Sequence, residues 1–135
     1  MILGKPQDSA VPIYNVIEPG ARAALKVSQS LKIGVLATRA TVAGQAYPTS
    51  LLSLNADVDC LQQACPLLVP LVEEGWVEDP LTNLIIHRYV EPVVKAGVDT
   101  IILGCTHYPV LQNPIQRVCG SGIQLVASGE SLVEF

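Results

Sequence analysis

The run Gly97-Val98-Asp99-Thr100-Ile101-Ile102-Leu103-Gly104-Cys105-Thr106-His107-Tyr108-Pro109 constrains this chain more than any other stretch, because an apolar strand runs straight into a thiol and an imidazole. Ile101 to Leu103 has the β-branched and aliphatic character of a strand covered on both faces, the condition of a parallel sheet flanked by helices. Gly104 then permits a sharp turn. In open α/β sheets ligands bind in the crevice beyond the carboxyl ends of the strands, which is where Cys105, Thr106 and His107 fall. The placement reads as half of an active site.

Length and composition bound what can be built around that strand. The 135 residues suit one domain, and with 50% hydrophobic and 15% charged residues the chain is apolar enough to fill a two-sided sheet and too apolar for intrinsic disorder. A net charge of −4 without a Lys/Arg run argues against nucleic acid as a partner. No apolar stretch approaches the roughly 20 residues of a membrane span, and the N-terminus does not read as a signal peptide, so no membrane association and a cytoplasmic location are expected. The cysteines at 60, 65, 105 and 119 lack C-x-x-C spacing, and with two histidines in the chain they make a poor metal site; reduced thiols and no metal are expected.

Strands and helices alternate along the chain. Pro12 to Ile17 reads as a strand, Glu18-Pro19-Gly20 as a turn, Ala21 to Ser30 as a helix and Lys32 to Ala37 as a second strand closed by Thr38-Arg39-Ala40-Thr41. A helical segment interrupted near Pro48 follows, then a short strand within 57–65 and helical turns over Val69 to Glu74 ended by Gly75. Asp79-Pro80 is an N-cap and first-turn proline opening a helix to about Ala96, with Leu81, Leu84, Ile85, Tyr89 and Val93 on one face and a kink expected at Pro92. After His107, Pro109 starts another helix ended by Gly120, and Ile123 to Val126 forms a last strand. The expected fold is α/β, a doubly wound parallel sheet flanked by helices in one flavodoxin-like domain over 12–128, with a lead at 1–11 and a tail at 129–135.

A thiol beside an imidazole or at a helix N-terminus has a lowered pKa, and Cys105 is expected to have both aids. Its thiolate could attack a carbonyl or remove a proton from carbon, and spacing does not separate the two roles. The competing reading is that Cys105 packs under the sheet edge while His107 makes local hydrogen bonds. Thr38 and Thr41 as bare threonines fit helix capping. Glu73 and Glu74 read as a solvated helix end, His87 as a helix-surface residue, and Cys60, Cys65 and Cys119 as structural.

Gly-Cys-Thr-His-Tyr-Pro at 104–109, preceded by Val98-Asp99-Thr100-Ile101-Ile102-Leu103, resembles the second cysteine motif of bacterial glutamate racemases, in the aspartate/glutamate racemase superfamily. Val16-Ile17-Glu18-Pro19-Gly20-Ala21, Ile33 to Thr41 and Ala64 to Gly75 resemble the same family in the same order, so the likeness covers about Pro12 to Gly129. His107 after Cys-Thr favours glutamate over aspartate racemases, which usually carry Glu there.

The resemblance implies a cofactor-independent exchange of the glutamate α-proton between two cysteines, supplying D-glutamate for peptidoglycan. By carry-over Cys105 is one of the pair, Thr106 and His107 bind or polarise the substrate with His107 assisting proton transfer, Thr38 and Thr41 line the site, and Glu73 supports His107. The family's Cys-Asn-Thr motif and its early Asp-Ser pair do not occur here, and Ala127 stands where an Asp usually precedes Ser-Gly. The expectation is therefore a second-domain portion, inactive alone, whose other cysteine comes from a missing first domain or a second chain, with an exposed apolar patch and possible homo-oligomers. Two other classes remain beside it: a Cys/His acyl-transfer enzyme, and a non-catalytic module binding a small acid or a protein.

Overall fold

The computed structural model describes residues 6–128, with side chains from Ile17 onward. Its elements in order are α1 (Pro6–Val27), β1 (Lys32–Ala37), α2 (Arg39–Gly44), α3 (Ala46–Leu54), β2 (Asp59–Ala64), α4 (Leu68–Glu73), α5 (Pro80–Lys95), β3 (Thr100–Leu103), a 3-10 turn (Tyr108–Leu111), α6 (Gln112–Cys119) and β4 (Gln124–Ala127). All strand pairs are parallel, in the order β2-β1-β3-β4, which is the flavodoxin-like order. Direction of travel along the sheet reverses between β1 and β3. In open sheets of this kind the switch point is where ligands bind, beyond the carboxyl ends of the strands.

Alternation along the strands divides the core. Ile33, Val35, Ala37 and Ile102 face α1 and α3, where Ile17, Ala21, Ala24, Tyr47 and Leu51 close over them. Leu36, Ile101 and Leu103 face the opposite way, under Leu68 and Leu71 of α4, Ile86, Val90 and Val93 of α5, and Ile115 of α6. The TIIL run of β3 is buried at every position, as its uninterrupted apolar character requires. Gly34 lets α5 come down onto β1, since a Cβ there would run into Val93 and Ile101.

Several expectations need correction. Pro12 to Ile17 is not a strand, and Glu18-Pro19-Gly20 is not a turn; both lie inside α1, which ends at Val27. Ile17, Ala21 and Ala24 recur at helical spacing and bury against the sheet, and this tertiary burial overrides the strand-like run and the Pro-Gly pair. The break between α2 and α3 falls at Gln45, in the left-handed region at φ 59°, and not at Pro48. Pro48 sits in the first turn of α3, where a missing N–H leaves no helical bond unmade. The helix expected from Asp79-Pro80 to about Ala96 is found as α5, with Pro92 inside it. Residues 1–5 of the expected lead and the tail 129–135 lie outside the described residues.

Candidate active site at the carboxyl end of β3

β1 and β3 deliver the site side by side. Gly104 N–H donates to Leu36 O at 2.8 Å, so Ala37 and Gly104 lie abreast where the strands end, with Thr38 and Cys105 next along each chain. A Cβ at Gly104 would stand 3.0 Å from Leu36 O, 3.0 Å from Tyr47 Cε2 and 3.4 Å from Ala37 Cβ, so the turn closes only without a side chain. The Tyr108 N–H donates to Cys105 O at 3.0 Å and tightens the segment that carries the thiol and the imidazole.

Cys105 Sγ lies 3.8 Å from His107 Nδ1, and His107 Nε2 lies 3.9 Å from Glu73 Oε2 of α4. Thiol, imidazole and carboxylate thus follow one another in a row beyond the strand ends. Which nitrogen carries the ring proton decides whether the row can pass it toward or away from sulfur. Thr106 is exposed beside Cys105, and His107 is half-buried. Thr38 and Thr41 pair with each other: Thr38 Oγ1 donates to Thr41 Oγ1 at 3.1 Å and accepts from Thr41 N–H at 3.3 Å, capping α2. The cap and a place at the crevice edge are compatible, because both follow from Thr38 standing one residue beyond β1.

The expectation of a lowered Cys105 pKa is not met. Burial pushes the thiol above its ordinary value, and the His107 backbone N–H bonding to it pulls the other way without winning. No α-helix starts at Cys105; a turn and a 3-10 segment intervene before α6 opens at Gln112, so the macrodipole is spent elsewhere. The other cysteines are further from ionising: burial takes Cys60 and Cys119 to about 11 and Cys65 to about 12. All four are free. His87 is exposed on α5, as expected of a helix-surface residue.

Sequence reasoning missed Tyr47 and Tyr108, both fully buried around this turn. The Tyr47 hydroxyl meets Ser128 Oγ at 2.8 Å, and the Tyr108 hydroxyl donates to Cys65 O at 3.3 Å. Tyr108 could have been suspected from its place in the Cys-Thr-His-Tyr run; nothing local singles out Tyr47. A separate open cavity of about 450 Å³, with Ile17, Glu18, Thr49 and Ser53 on its walls, includes none of Cys105, Thr106 and His107. Among the described residues no cluster of three His, Cys, Asp or Glu side chains could hold a metal ion, and no helix is long and apolar enough to cross a membrane.

The sequence profile of the Asp/Glu/Hydantoin racemase family matches residues 7–135. The chain is 45% identical over 124 residues to a glutamate racemase of Sulfurihydrogenibium sp. (strain YO3AOP1), aligning 92% of this chain with 47% of that protein. It is 42% identical to one from Geobacter metallireducens, again over 92% of this chain and 46% of the relative. The chain thus spans about half the length of the curated relatives it matches. The fold superposes with a TM-score of 0.84 on glutamate racemase isoform RacE1 from Bacillus anthracis, at 36% identity over 88% of this chain and 45% of that one. A glutamate racemase from Francisella tularensis in complex with D-glutamate superposes at 0.79, with 26% identity over 88% of this chain and 43% of the other. With the profile covering nearly all of the sequence, and a cysteine-bearing turn at the switch point of a fold shared with these enzymes, the chain belongs to the Asp/Glu/Hydantoin racemase family.

Proposed function

We propose that this chain forms the Cys105 half of a glutamate racemase site. The observation that carries this reading is the row Cys105, His107, Glu73 standing at the β1/β3 switch point. Support comes from glutamate racemases at 42–45% identity and from a similar structure solved with D-glutamate. Glutamate is the substrate, with Thr106, His107, Thr38 and Thr41 binding it.

In one direction the Cys105 thiolate takes the α-proton: the C–H bond breaks, an S–H bond forms, and the electron pair moves into the adjoining carboxylate. A second acid on the opposite face of the α-carbon then donates a proton, giving the other enantiomer. In the reverse direction Cys105 is the acid. Burial keeps its thiol protonated in the open crevice, which suits the donor role, and the ammonium of bound glutamate favours the thiolate when a base is needed. His107 assists these transfers and Glu73 orients it. No step uses a cofactor.

The second acid comes from outside these residues, in another domain or another chain. Cys60 near the start of β2 and Cys119 at the end of α6, ahead of β4, lie toward the amino ends of the strands, and Cys65 is fully buried. Leu67 and Val110, 50% and 54% exposed on segments beyond the strand ends, offer an apolar rim to whatever covers the crevice. D-glutamate made there would serve peptidoglycan synthesis. Four free thiols fit the reducing conditions of the cytosol.

The test replaces the matching 124 residues of the Sulfurihydrogenibium relative with this chain and follows α-proton exchange of D- and L-glutamate in deuterated buffer by NMR, with optical rotation. The chimera should exchange and racemise, Cys105→Ala should abolish both, and the 135-residue chain alone should do neither. A folded chimera without exchange, or one indifferent to Cys105→Ala, would overturn the reading.

A further inference from the structure

Two buried phenols approach the Cys105 turn from opposite faces of the sheet. Tyr47 belongs to the cluster under α1 and α3, and Tyr108 to the cluster under α4, α5 and α6. Each ties its hydroxyl to the carboxyl end of an edge strand. Tyr47 meets Ser128, one residue past β4, at 2.8 Å, and Tyr108 donates to the carbonyl of Cys65, one residue past β2, at 3.3 Å. Between them lie Gly104 and Cys105. The Tyr47 ring edge comes within 3.0 Å of where a Gly104 Cβ would be, Tyr108 bonds Cys105 O through its N–H, and Cys105 packs against the cluster that contains Tyr108.

From this geometry we infer that Tyr47 and Tyr108 are positioning residues for Cys105, clamping the Gly104-Cys105 turn between rings whose hydroxyls are pinned to β4 and β2. The inference rests on Cys105 as the reacting group proposed above, but it concerns the thiol's setting and is read without turnover.

A rigid phenol suits this task better than an aliphatic side chain. Two torsions fix the ring, and a buried hydroxyl that would be costly unpaired selects one position for it. Ser128 is 2% exposed, and Gly20 of α1 leaves no room on its far side, since a Cβ there would fall on Ser128 Oγ. The Tyr47 hydroxyl is therefore held from a third element. Burial raises the pKa of both phenols and so favours their neutral form, which suits them to act as struts.

The test uses the 135-residue chain and follows Cys105 alkylation by iodoacetamide against pH, resolved by peptide mass spectrometry. Tyr47→Leu and Tyr108→Leu admit water to the turn and are expected to lower the midpoint of the Cys105 profile by about half a unit or more and raise its plateau rate several-fold. Leu51→Ala and Ile115→Ala remove fully buried side chains from the same two clusters and should leave the midpoint in place despite their stability cost. Tyr47→Phe and Tyr108→Phe keep the rings but lose the pins to β4 and β2, and should shift the midpoint in the same direction by less than the Leu variants. Unmoved midpoints in both Leu variants, or equal shifts in the two controls, would overturn the inference. If the Leu variants do not fold, Ser128→Ala decides in their place: releasing the Tyr47 hydroxyl should shift the profile in the same direction, and a parent-like profile would overturn it. None of these readouts depends on racemase activity, so their failure is distinct from failure of the chimera.

Discussion

Ser28 donates its hydroxyl to Asp99 Oδ1 at 2.6 Å, joining the residue after α1 to the residue before β3. Asp99 Oδ2 accepts the N–H groups of Gln29 and Ser30, each at 2.9 Å, and Thr100 Oγ1 donates to Oδ1 at 2.9 Å. One carboxylate thus holds the turn that feeds β1, including Leu31 at φ 62°, a strained conformation for that residue. Burial works to raise the Asp99 pKa, but the bonds from Ser28, Ser30, Thr100 and Gln29 outweigh it and keep the carboxyl well below the usual carboxylate range.

Asp99→Asn should therefore lower the unfolding free energy by about 1–2 kcal/mol near neutral pH. A carboxyl whose folded pKa is depressed contributes stability that is complete above its unfolded value, about 4, and is lost as pH falls toward the folded value. Urea unfolding of parent and variant should show a gap that narrows below about pH 4. A gap independent of pH would mean that the charge plays no part.

Gly104→Ala tests the closeness of β1 and β3 at the site. The new methyl would stand 3.0 Å from Leu36 O and from Tyr47 Cε2, and Leu36 O cannot retreat without lengthening the 2.8 Å bond from Gly104 N–H. A loss of about 1–3 kcal/mol is expected. Gly122→Ala, with nothing within 4 Å of its Cβ, is the control and should stay within about 0.5 kcal/mol of the parent. Equal unfolding midpoints for the two variants would contradict the contact.

What the sequence disclosed was whatever local signals decide. β1 and β3 are continuous apolar runs, and Asp79 caps α5 by accepting from Leu81 N–H at 2.8 Å, as its place before Pro80 suggested. The Cys105–His107 spacing also survived into three dimensions, because a tight turn keeps near neighbours near. Pro12 to Ile17 misled because its pattern suits a strand, whereas the helix there depends on Ala21 and Ala24 burying against strands far along the chain. Gly20 looked like a turn residue; its reason for being small is Ser128. The Cys105 pKa was misjudged for a related cause, since the motif reveals the neighbouring imidazole but not how deeply the fold sets the thiol.

Thr38 serves the fold whatever it does for a ligand. Its hydroxyl is the side-chain cap of α2, so Thr38→Ala should cost about 1 kcal/mol, while Thr38→Ser keeps the oxygen and should cost a few tenths. In the chimera, Thr38→Ala should also raise KM for glutamate relative to Thr38→Ser. A KM unchanged in both variants would leave Thr38 with the cap alone.

The four thiols should separate by reactivity. Cys105 stands at the open end of the sheet with its pKa raised by burial, while Cys60 and Cys119 are held at about 11 and Cys65 at about 12. Only the thiolate alkylates, so at pH 8 iodoacetamide should label Cys105 ahead of the others by about tenfold or more. Because the folded value lies above that of a free thiol, the Cys105 rate should still be rising beyond pH 8.5, the midpoint of an unperturbed cysteine at about that pH. Adding urea past the unfolding transition should bring all four sites together and move the Cys105 midpoint down. A folded-state midpoint below about 8.5 would mean that imidazole and turn amides outweigh burial after all.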